Sequence, residues 1–308
     1  MQSSVYPLPN ASLRARLWTK EARLAYALLA PSVIFLLGFM IYPLVYVFLM
    51  SVHRTNNVGE LLRYSGLANY VRVMSHHRFW EDTGRTVIWT VVGVAVKLTL
   101  GMVIALLLNV QFPGRKAARL LFIAPWAASV PIAVLLWEWV YTPDFGLLNQ
   151  TLIALHVTSH PPIWLGRPIS ALISELWVDI WLGVPFMALV FLAGMQSVPE
   201  ELYESAYLDG VNGFQKFFYV TLPGIRYIVL IATLLSCLWT FNDFNAIYIL
   251  TRGGPAGATE ILVTQIYNYA FTYHEFSQAA VMAIVTFIIL TAVSVVYARF
   301  YFKGEAAS

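Results

Sequence analysis

Long apolar runs recur six times along this chain of 308 residues, and each exceeds the roughly 20 residues that a helix needs to cross a bilayer. With 59% hydrophobic and 11% charged residues, the chain is unlike a soluble globular domain. The sequence therefore predicts an all-α, polytopic membrane protein with six transmembrane helices. The runs extend approximately over Leu24–Met50, Thr86–Val110, Leu120–Tyr141, Ile169–Met195, Tyr227–Leu250 and Phe276–Tyr301.

Lysine and arginine are unevenly distributed between the two sets of connecting segments. They are enriched before the first run, between the second and third, around the segment between the fourth and fifth, and after the sixth. Because basic residues favour the cytoplasmic side, we expect both termini to be cytoplasmic. This gives a cytoplasmic N-terminal segment at 1–23, a transmembrane domain at 24–302 and a cytoplasmic tail at 303–308. The first run is too long for a signal-peptide core, so we expect it to be retained as an anchor.

The polar segment between the fourth and fifth runs, at about 197–224, is called the elbow here. Ser197 and Glu200 have the spacing of a capping box, which predicts that a helix begins there. Gly210 and Gly213 tolerate positive φ, which predicts that this helix ends near them. A second helical stretch then leads to a proline, where a new helix must begin. The segment therefore predicts a bent helical elbow.

The residue spacing of the elbow resembles the EAA loop of ABC importer permeases. Ser205 replaces the first alanine of that consensus and Val220 its isoleucine, while the other spacings match. In that family, the loop carries a coupling helix that sits in a groove of a cytoplasmic ATPase. The resemblance implies ATPase coupling for Glu204, Ser205, Ala206, Asp209, Gly210, Leu222 and Pro223.

Three further segments extend the resemblance over nearly the whole chain. Residues Pro143–Asn149, Trp181–Phe186 and Leu250–Pro255 are similar to segments of MalF-type carbohydrate permeases. The resemblance implies import of a sugar or polyol across a bacterial or archaeal plasma membrane. It also implies a second permease subunit, two cytoplasmic ATPase subunits that use ATP and magnesium, and an extracytoplasmic solute-binding protein. Neither the solute nor the identity of the second permease follows from the sequence.

Charged and amide side chains interrupt the apolar runs. A charge at the bilayer centre costs about 2.5–3.5 kcal/mol on insertion scales, so these groups must face the bundle interior or water. Aromatic faces beside carboxylates and amides suit a sugar, although the aromatic residues would equally fit packing between helices. No specific role follows for Lys97 or Glu138. The resemblance implies a solute path at Trp126, Asp179, Leu182, Gly183, Phe186, Phe241 and Asn242, to which Asp243 is added as the next intramembrane acid.

No motif for ATP binding, catalysis or metal binding stands out in the sequence. None of the five lysines follows a glycine, so the chain lacks a phosphate loop, and we expect ATP hydrolysis on a partner chain. We expect no catalytic residue, no metal site and no bound cofactor. His156 and His160 are four residues apart, but two prolines follow them and no third ligand is near. The basic residues are too dispersed for nucleic-acid binding. We expect the transmembrane helices to contact membrane lipid.

Two other functions fit a membrane protein of this composition. One is an integral membrane enzyme that acts on a lipid-linked substrate through intramembrane acids, and the other is a passive carrier. Asp179 and Asp243 are isolated rather than clustered at one membrane face, which argues against the enzyme. The elbow has no use without a motor protein, which argues against the passive carrier. The pattern therefore favours a permease subunit of an ATP-driven importer.

Overall fold

A computed structural model describes residues 20–305, so positions 1–19 and 306–308 of the expected terminal segments lie outside the described residues. The helices and strands in chain order are α1 (Lys20–Val52), β1 (His53–Thr55), β2 (Leu61–Tyr64), α2 (Ala68–Ser75), α3 (His77–Asn109), α4 (Arg115–Ala127), α5 (Val130–Val140), α6 (Leu147–Ala154), α7 (Pro168–Ser197), α8 (Glu200–Leu208), α9 (Gly213–Lys216), α10 (Leu222–Gly224), α11 (Arg226–Phe241), α12 (Phe244–Leu250), α13 (Leu262–Tyr267) and α14 (Phe276–Glu305). Two π-helical turns lie at Phe217–Thr221 and Asn268–Thr272.

Five segments of this described region are long and apolar enough to cross a membrane. They are α1, α3, α7, α11 with α12, and α14. The helix pair α4 and α5 gives a sixth candidate span, but the two helices meet at an angle of 95°. The all-α polytopic fold is thereby confirmed, and six apolar runs correspond to these six segments.

The third apolar run is not the single continuous helix that was expected. Ala128 and Ser129 are extended, with φ/ψ of −74°/151° and −63°/126°, so the helical hydrogen-bond ladder stops between α4 and α5. Pro131 lies in the first turn of α5, where its missing N–H costs nothing. Hydropathy alone does not reveal this break, because the residues on both sides of it are apolar.

A small β-hairpin precedes α2 and was not predicted. Strands β1 and β2 are antiparallel, with His53 opposite Tyr64. The hydroxyls of Thr55 and Ser277 lie 2.9 Å apart, which ties the hairpin to the first turn of α14. Asn69 donates to the carbonyls of Ser51 and His53 and anchors α2 to the same place. The hairpin is thus part of the folded end of the bundle that lies opposite the elbow.

The loop between α12 and α13 is fixed by buried polar contacts. Thr251 Oγ1 donates to Glu175 Oε1 at 2.5 Å, so this intramembrane acid of α7 accepts a hydrogen bond from the first residue of the loop. Glu260 accepts hydrogen bonds from Arg78 Nη2 at 2.7 Å and from Asn268 Nδ2 at 2.6 Å. Glu175 and Glu260 therefore anchor the loop between α12 and α13.

The most extensive helix pair is α3 with α7, and a glycine allows their close approach. A Cβ atom added to Gly101 would lie 2.6 Å from Met187 Cβ and 3.2 Å from the Ala188 nitrogen. The positions of the Met187 Cβ and the Ala188 nitrogen are fixed by the backbone of α7, so a change of side-chain rotamer cannot move either atom away. Met187 and Phe191 are fully buried in the apolar cluster that fills this interface near the elbow.

We expect Gly101→Ala to destabilise the protein by about 1–3 kcal/mol, because the added methyl overpacks the contact between α3 and α7. Gly84→Ala is the matched control on the same helix, since its added Cβ has no neighbour within 4 Å. That control should be neutral or slightly stabilising, because alanine favours a helix by up to about 1 kcal/mol over glycine. Thermal unfolding of the detergent-purified protein measures both. Equal melting temperatures for the two variants would contradict the close-packing argument.

Candidate functional site

A central cavity of about 800 Å³ lies among α3, α4, α5, α7, α11 and α12. Its volume is within the range of small-molecule sites, which are commonly 300–1,000 Å³. Within residues 20–305, no cluster of three or more His, Cys, Asp or Glu side chains could hold a metal ion. The residues that line the cavity are Lys97, Trp126, Val130, Asp179, Leu182, Gly183, Phe186, Ser236, Leu238, Trp239, Asn242, Asp243 and Asn245.

One face of α7 supplies four of the lining residues. Asp179, Leu182, Gly183 and Phe186 follow the spacing i, i+3, i+4 and i+7, which places all four on the same side of a helix. Seven of the eight residues expected on the solute path line this one cavity. The four members on α7 share a face because of helical periodicity, while Trp126, Asn242 and Asp243 are brought to them by the tertiary fold.

Lys97 forms a buried ion pair at the cavity wall. Its Nζ lies 2.6 Å from Asp179 Oδ1 and 2.7 Å from Thr240 Oγ1, so one ammonium group joins α3, α7 and α11. Gly183 makes room for it, because a Cβ there would lie 2.7 Å from Lys97 Cε. No partner for Lys97 can be named from the sequence, which favours pairing with a carboxylate over contact with a solute, and the structure identifies that carboxylate as Asp179.

Three aromatic rings form a partly exposed wall of the cavity. The ring centroids of Trp126 and Phe186 are 6.2 Å apart, and those of Phe186 and Trp239 are 4.9 Å apart. Trp126 and Trp239 are 51% and 55% exposed, so neither ring is buried within this chain. Sequence reasoning missed Trp239, although this residue of α11 precedes Asn242 by only three positions.

The break between α11 and α12 places two polar side chains at the cavity. Asn242 ends α11, and the Asp243 carboxylate accepts a hydrogen bond from the Ala246 N–H at 3.3 Å to cap α12. Phe241 was expected to line the cavity but does not. It is adjacent to the lining residue Asn242, and adjacent helical residues are turned by about 100° from one another. Its side chain is buried instead with Phe79 and Leu262. Glu138 is exposed on α5 and lies outside the cavity.

The elbow is helical and bent as predicted, but its caps differ from the prediction. Ser197 Oγ donates to the Gly194 carbonyl at 2.7 Å and so belongs to the end of α7, while α8 begins without a side-chain cap. The capping box lies later, where Asn212 accepts from the Gln215 N–H at 2.9 Å and the Gln215 side chain accepts from the Asn212 N–H. Gly210 has a φ of +72°, as expected for the residue that reverses the chain.

One side of the elbow is anchored and the other is exposed. Ala206 is buried, Leu222 packs against the core shared by α3 and α7, and the Tyr203 hydroxyl donates to Thr221 Oγ1 at 3.3 Å. The other expected coupling residues are exposed: Glu204, Ser205, Asp209, Gly210 and Pro223. Sequence reasoning did not include four large hydrophobic side chains of the elbow that are 74–85% exposed: Tyr207, Leu208, Phe214 and Tyr219. An exposed hydrophobic surface on a segment that is anchored to the core on its other side suits protein docking.

Comparison with known proteins relates the chain to transport systems. A family described as "Binding-protein-dependent transport system inner membrane component" matches residues 97–303. The trehalose/maltose transport system permease protein MalF of Thermococcus litoralis is 35% identical over 288 residues, which cover 94% of this chain and 97% of that protein. A bacterial ABC transporter for import of the acidic polysaccharide alginate has a chain with the same fold. Its TM-score is 0.83 at 21% identity, covering 94% of this chain and 99% of the other.

A second solved structure of the alginate transporter includes its periplasmic protein bound to an alginate pentasaccharide. Its matching chain has a TM-score of 0.79 at 21% identity, over 92% of this chain and 95% of that one. The fold of the described residues is thus one that occurs in a transporter in complex with a periplasmic protein.

Proposed function

Since this chain belongs to the family of inner membrane components of binding-protein-dependent transport systems, it is a permease subunit of an ATP-driven ABC importer, and we propose that a sugar or related polyol passes through its central cavity. Members of this family are transport components and not enzymes. The observation that carries the proposed solute class is the wall of Trp126, Phe186 and Trp239 beside polar side chains. Ring faces stack on the C–H faces of sugars, while amide and carboxylate groups bind their hydroxyls. The trehalose/maltose permease among its relatives supports the same class.

The acidic and amide side chains of this proposed site come from two parts of the chain. Asp179 comes from α7, whereas Asn242, Asp243 and Asn245 come from the break after α11 and the start of α12. A helix break in a membrane is stable only where its free backbone groups are buried in protein or reach water. The break and the cavity therefore support each other as parts of a hydrated path.

We expect Asn242→Ala and Trp239→Ala to weaken solute uptake by the reconstituted importer. Loss of a hydrogen-bonding partner costs about 1–3 kcal/mol, which corresponds to fivefold to a hundredfold in affinity. Trp139→Ala is the matched control, because Trp139 is 60% exposed and does not line the cavity. Uptake of radiolabelled trehalose and maltose into proteoliposomes measures the effect, and assembly with the ATPase should persist in all three variants. Unchanged uptake kinetics in both cavity variants would overturn the proposed path.

The exposed side of the elbow is proposed to dock on a cytoplasmic ATPase. The apolar tips of Tyr207, Leu208 and Phe214 would fill a groove of that partner, and Glu204 with Asp209 would lie at the polar rim. A shallow cavity of about 410 Å³ beside them, lined partly by Tyr203 and Glu204, could accept a side chain in return. ATP and magnesium would be bound by the partner, which supplies the phosphate loop that this sequence lacks.

The remaining assembly is proposed from the family and from the direction of the helices. Two permeases and two ATPases would form the importer, and a solute-binding protein would deliver the sugar at the face opposite the elbow. With the elbow in the cytoplasm and six traverses of the bilayer, both termini are cytoplasmic. Residues 1–23 and 303–308 then flank the membrane domain at 24–302, whose outer surface contacts lipid.

A further inference from the structure

The charged groups of the central cavity are unbalanced. One cationic side chain, Lys97, lines it together with two carboxylates, Asp179 and Asp243. Lys97 is 4% exposed, and its Nζ atom lies 2.6 Å from Asp179 Oδ1. Its charge is therefore already neutralised within the protein, and at the wall it acts as one half of an ion pair.

No Lys, Arg or His nitrogen lies within 4.0 Å of the Asp243 carboxylate in the part of the chain that the structure describes. The ion pairs found there join His77 with Glu81, Arg78 with Asp82, Arg78 with Glu260, Arg85 with Asp82, and Lys97 with Asp179. The other polar lining residues, Ser236, Asn242 and Asn245, are uncharged. This chain's side of the cavity thus offers hydroxyl, amide and carboxylate groups but no unpaired cation.

We propose that this cavity selects uncharged sugars and rejects anionic ones, such as uronic acids, by charge. The inference rests on the proposed sugar path and narrows its solute class. A carboxylate entering the cavity would lose its hydration without gaining a counter-ion, and it would meet the Asp243 carboxylate. A neutral sugar instead finds acceptors for its hydroxyls and rings for its apolar faces. The cavity therefore differs in its solute chemistry from what an acidic polysaccharide requires.

The test compares three forms of the same sugar on the purified permease–ATPase complex in nanodiscs. The forms are trehalose, its uronic acid with one C6 carboxylate, and the corresponding uronamide, with a maltose series run in parallel. The solute-binding protein is omitted so that its own selectivity does not enter. Quenching of tryptophan fluorescence reports binding, since Trp126 and Trp239 line the cavity. We expect the uronic acid to bind about tenfold or more weakly than the parent, and the uronamide to bind nearly as well.

Two substitutions test the origin of this selectivity. Asp243→Asn removes the carboxylate that makes no direct ion pair, while asparagine can still cap α12. Asp179→Asn leaves Lys97 as an unneutralised cation at the cavity wall. In either variant, the ratio of the affinity for the parent sugar to the affinity for its uronic acid should fall severalfold. Since Asp243→Asn keeps the buried ion pair, it preserves the test if Asp179→Asn fails to fold.

The outcomes separate this inference from the proposed function. Equal binding of the uronic acid and its parent would overturn the charge selection and leave the sugar path standing. An equal loss for the uronamide would also overturn it, because size rather than charge would then explain the discrimination. No binding of any neutral member of both series would overturn the sugar path itself. Selectivity that is unchanged in both variants would show that these carboxylates do not set it.

Discussion

Replacing Lys97 with methionine is expected to destabilise the permease by about 3–5 kcal/mol, because the change leaves the Asp179 carboxylate buried without its partner. Thr240 loses its hydrogen-bond donor at the same time. Between the three helices that this ammonium group joins, the hydrogen bond from Trp89 Nε1 to the Thr240 carbonyl would remain beside the apolar packing. Thermal unfolding of the detergent-purified complex should show a clearly lowered melting temperature.

Two further variants test whether the missing partner is the cause. Lys97→Met combined with Asp179→Leu should recover most of the stability, since apolar replacement of a buried ion pair is often neutral or stabilising. Lys116→Met provides the matched surface control, because Lys116 is exposed at the start of α4. That control should change stability by no more than about 0.5 kcal/mol. A double variant as unstable as Lys97→Met alone would contradict the role assigned to the ion pair.

Gly210→Val is expected to abolish most transport while leaving the membrane domain folded. The residue has a φ of +72°, which costs a side-chain-bearing residue about 1–2 kcal/mol and a β-branched residue more. An added Cβ would meet nothing within 4 Å, so the strain is in the backbone and not in the packing. The chain should relieve it by changing the turn between α8 and α9. The exposed tips of Leu208 and Phe214 would then no longer share one docking geometry.

Gly213→Val is the matched control for this turn. Gly213 also has no neighbour within 4 Å of an added Cβ, but it begins α9 with an ordinary φ. The comparison measures ATPase activity, its coupling to uptake, and co-purification of the ATPase. We expect Gly210→Val to lose coupled uptake and Gly213→Val to keep much of it. Full uptake with Gly210→Val would exclude the coupling role of this turn.

Periodicity was enough to locate most of the fold and part of the cavity. The apolar runs predict the spans because the hydrocarbon core rewards any continuous apolar helix of sufficient length. The cavity-lining face of α7 follows from local spacing, because Asp179, Leu182, Gly183 and Phe186 recur with the helical period. Gly210 likewise indicates a positive φ, because glycine lacks the Cβ atom that disfavours this conformation. These features depend on residues that are close together in sequence.

Features that depend on distant residues needed the tertiary structure. Lys97 and Asp179 are separated by 82 positions, so nothing in either run identifies the other as its partner. Phe241 and Trp239 are both aromatic residues at the end of α11, and only the packing of neighbouring helices decides that Phe241 is buried and Trp239 faces the cavity. The sequence by itself thus determined where helices form and which side chains share a face. The tertiary structure decided which faces meet, because burial and charge pairing are properties of neighbours in space.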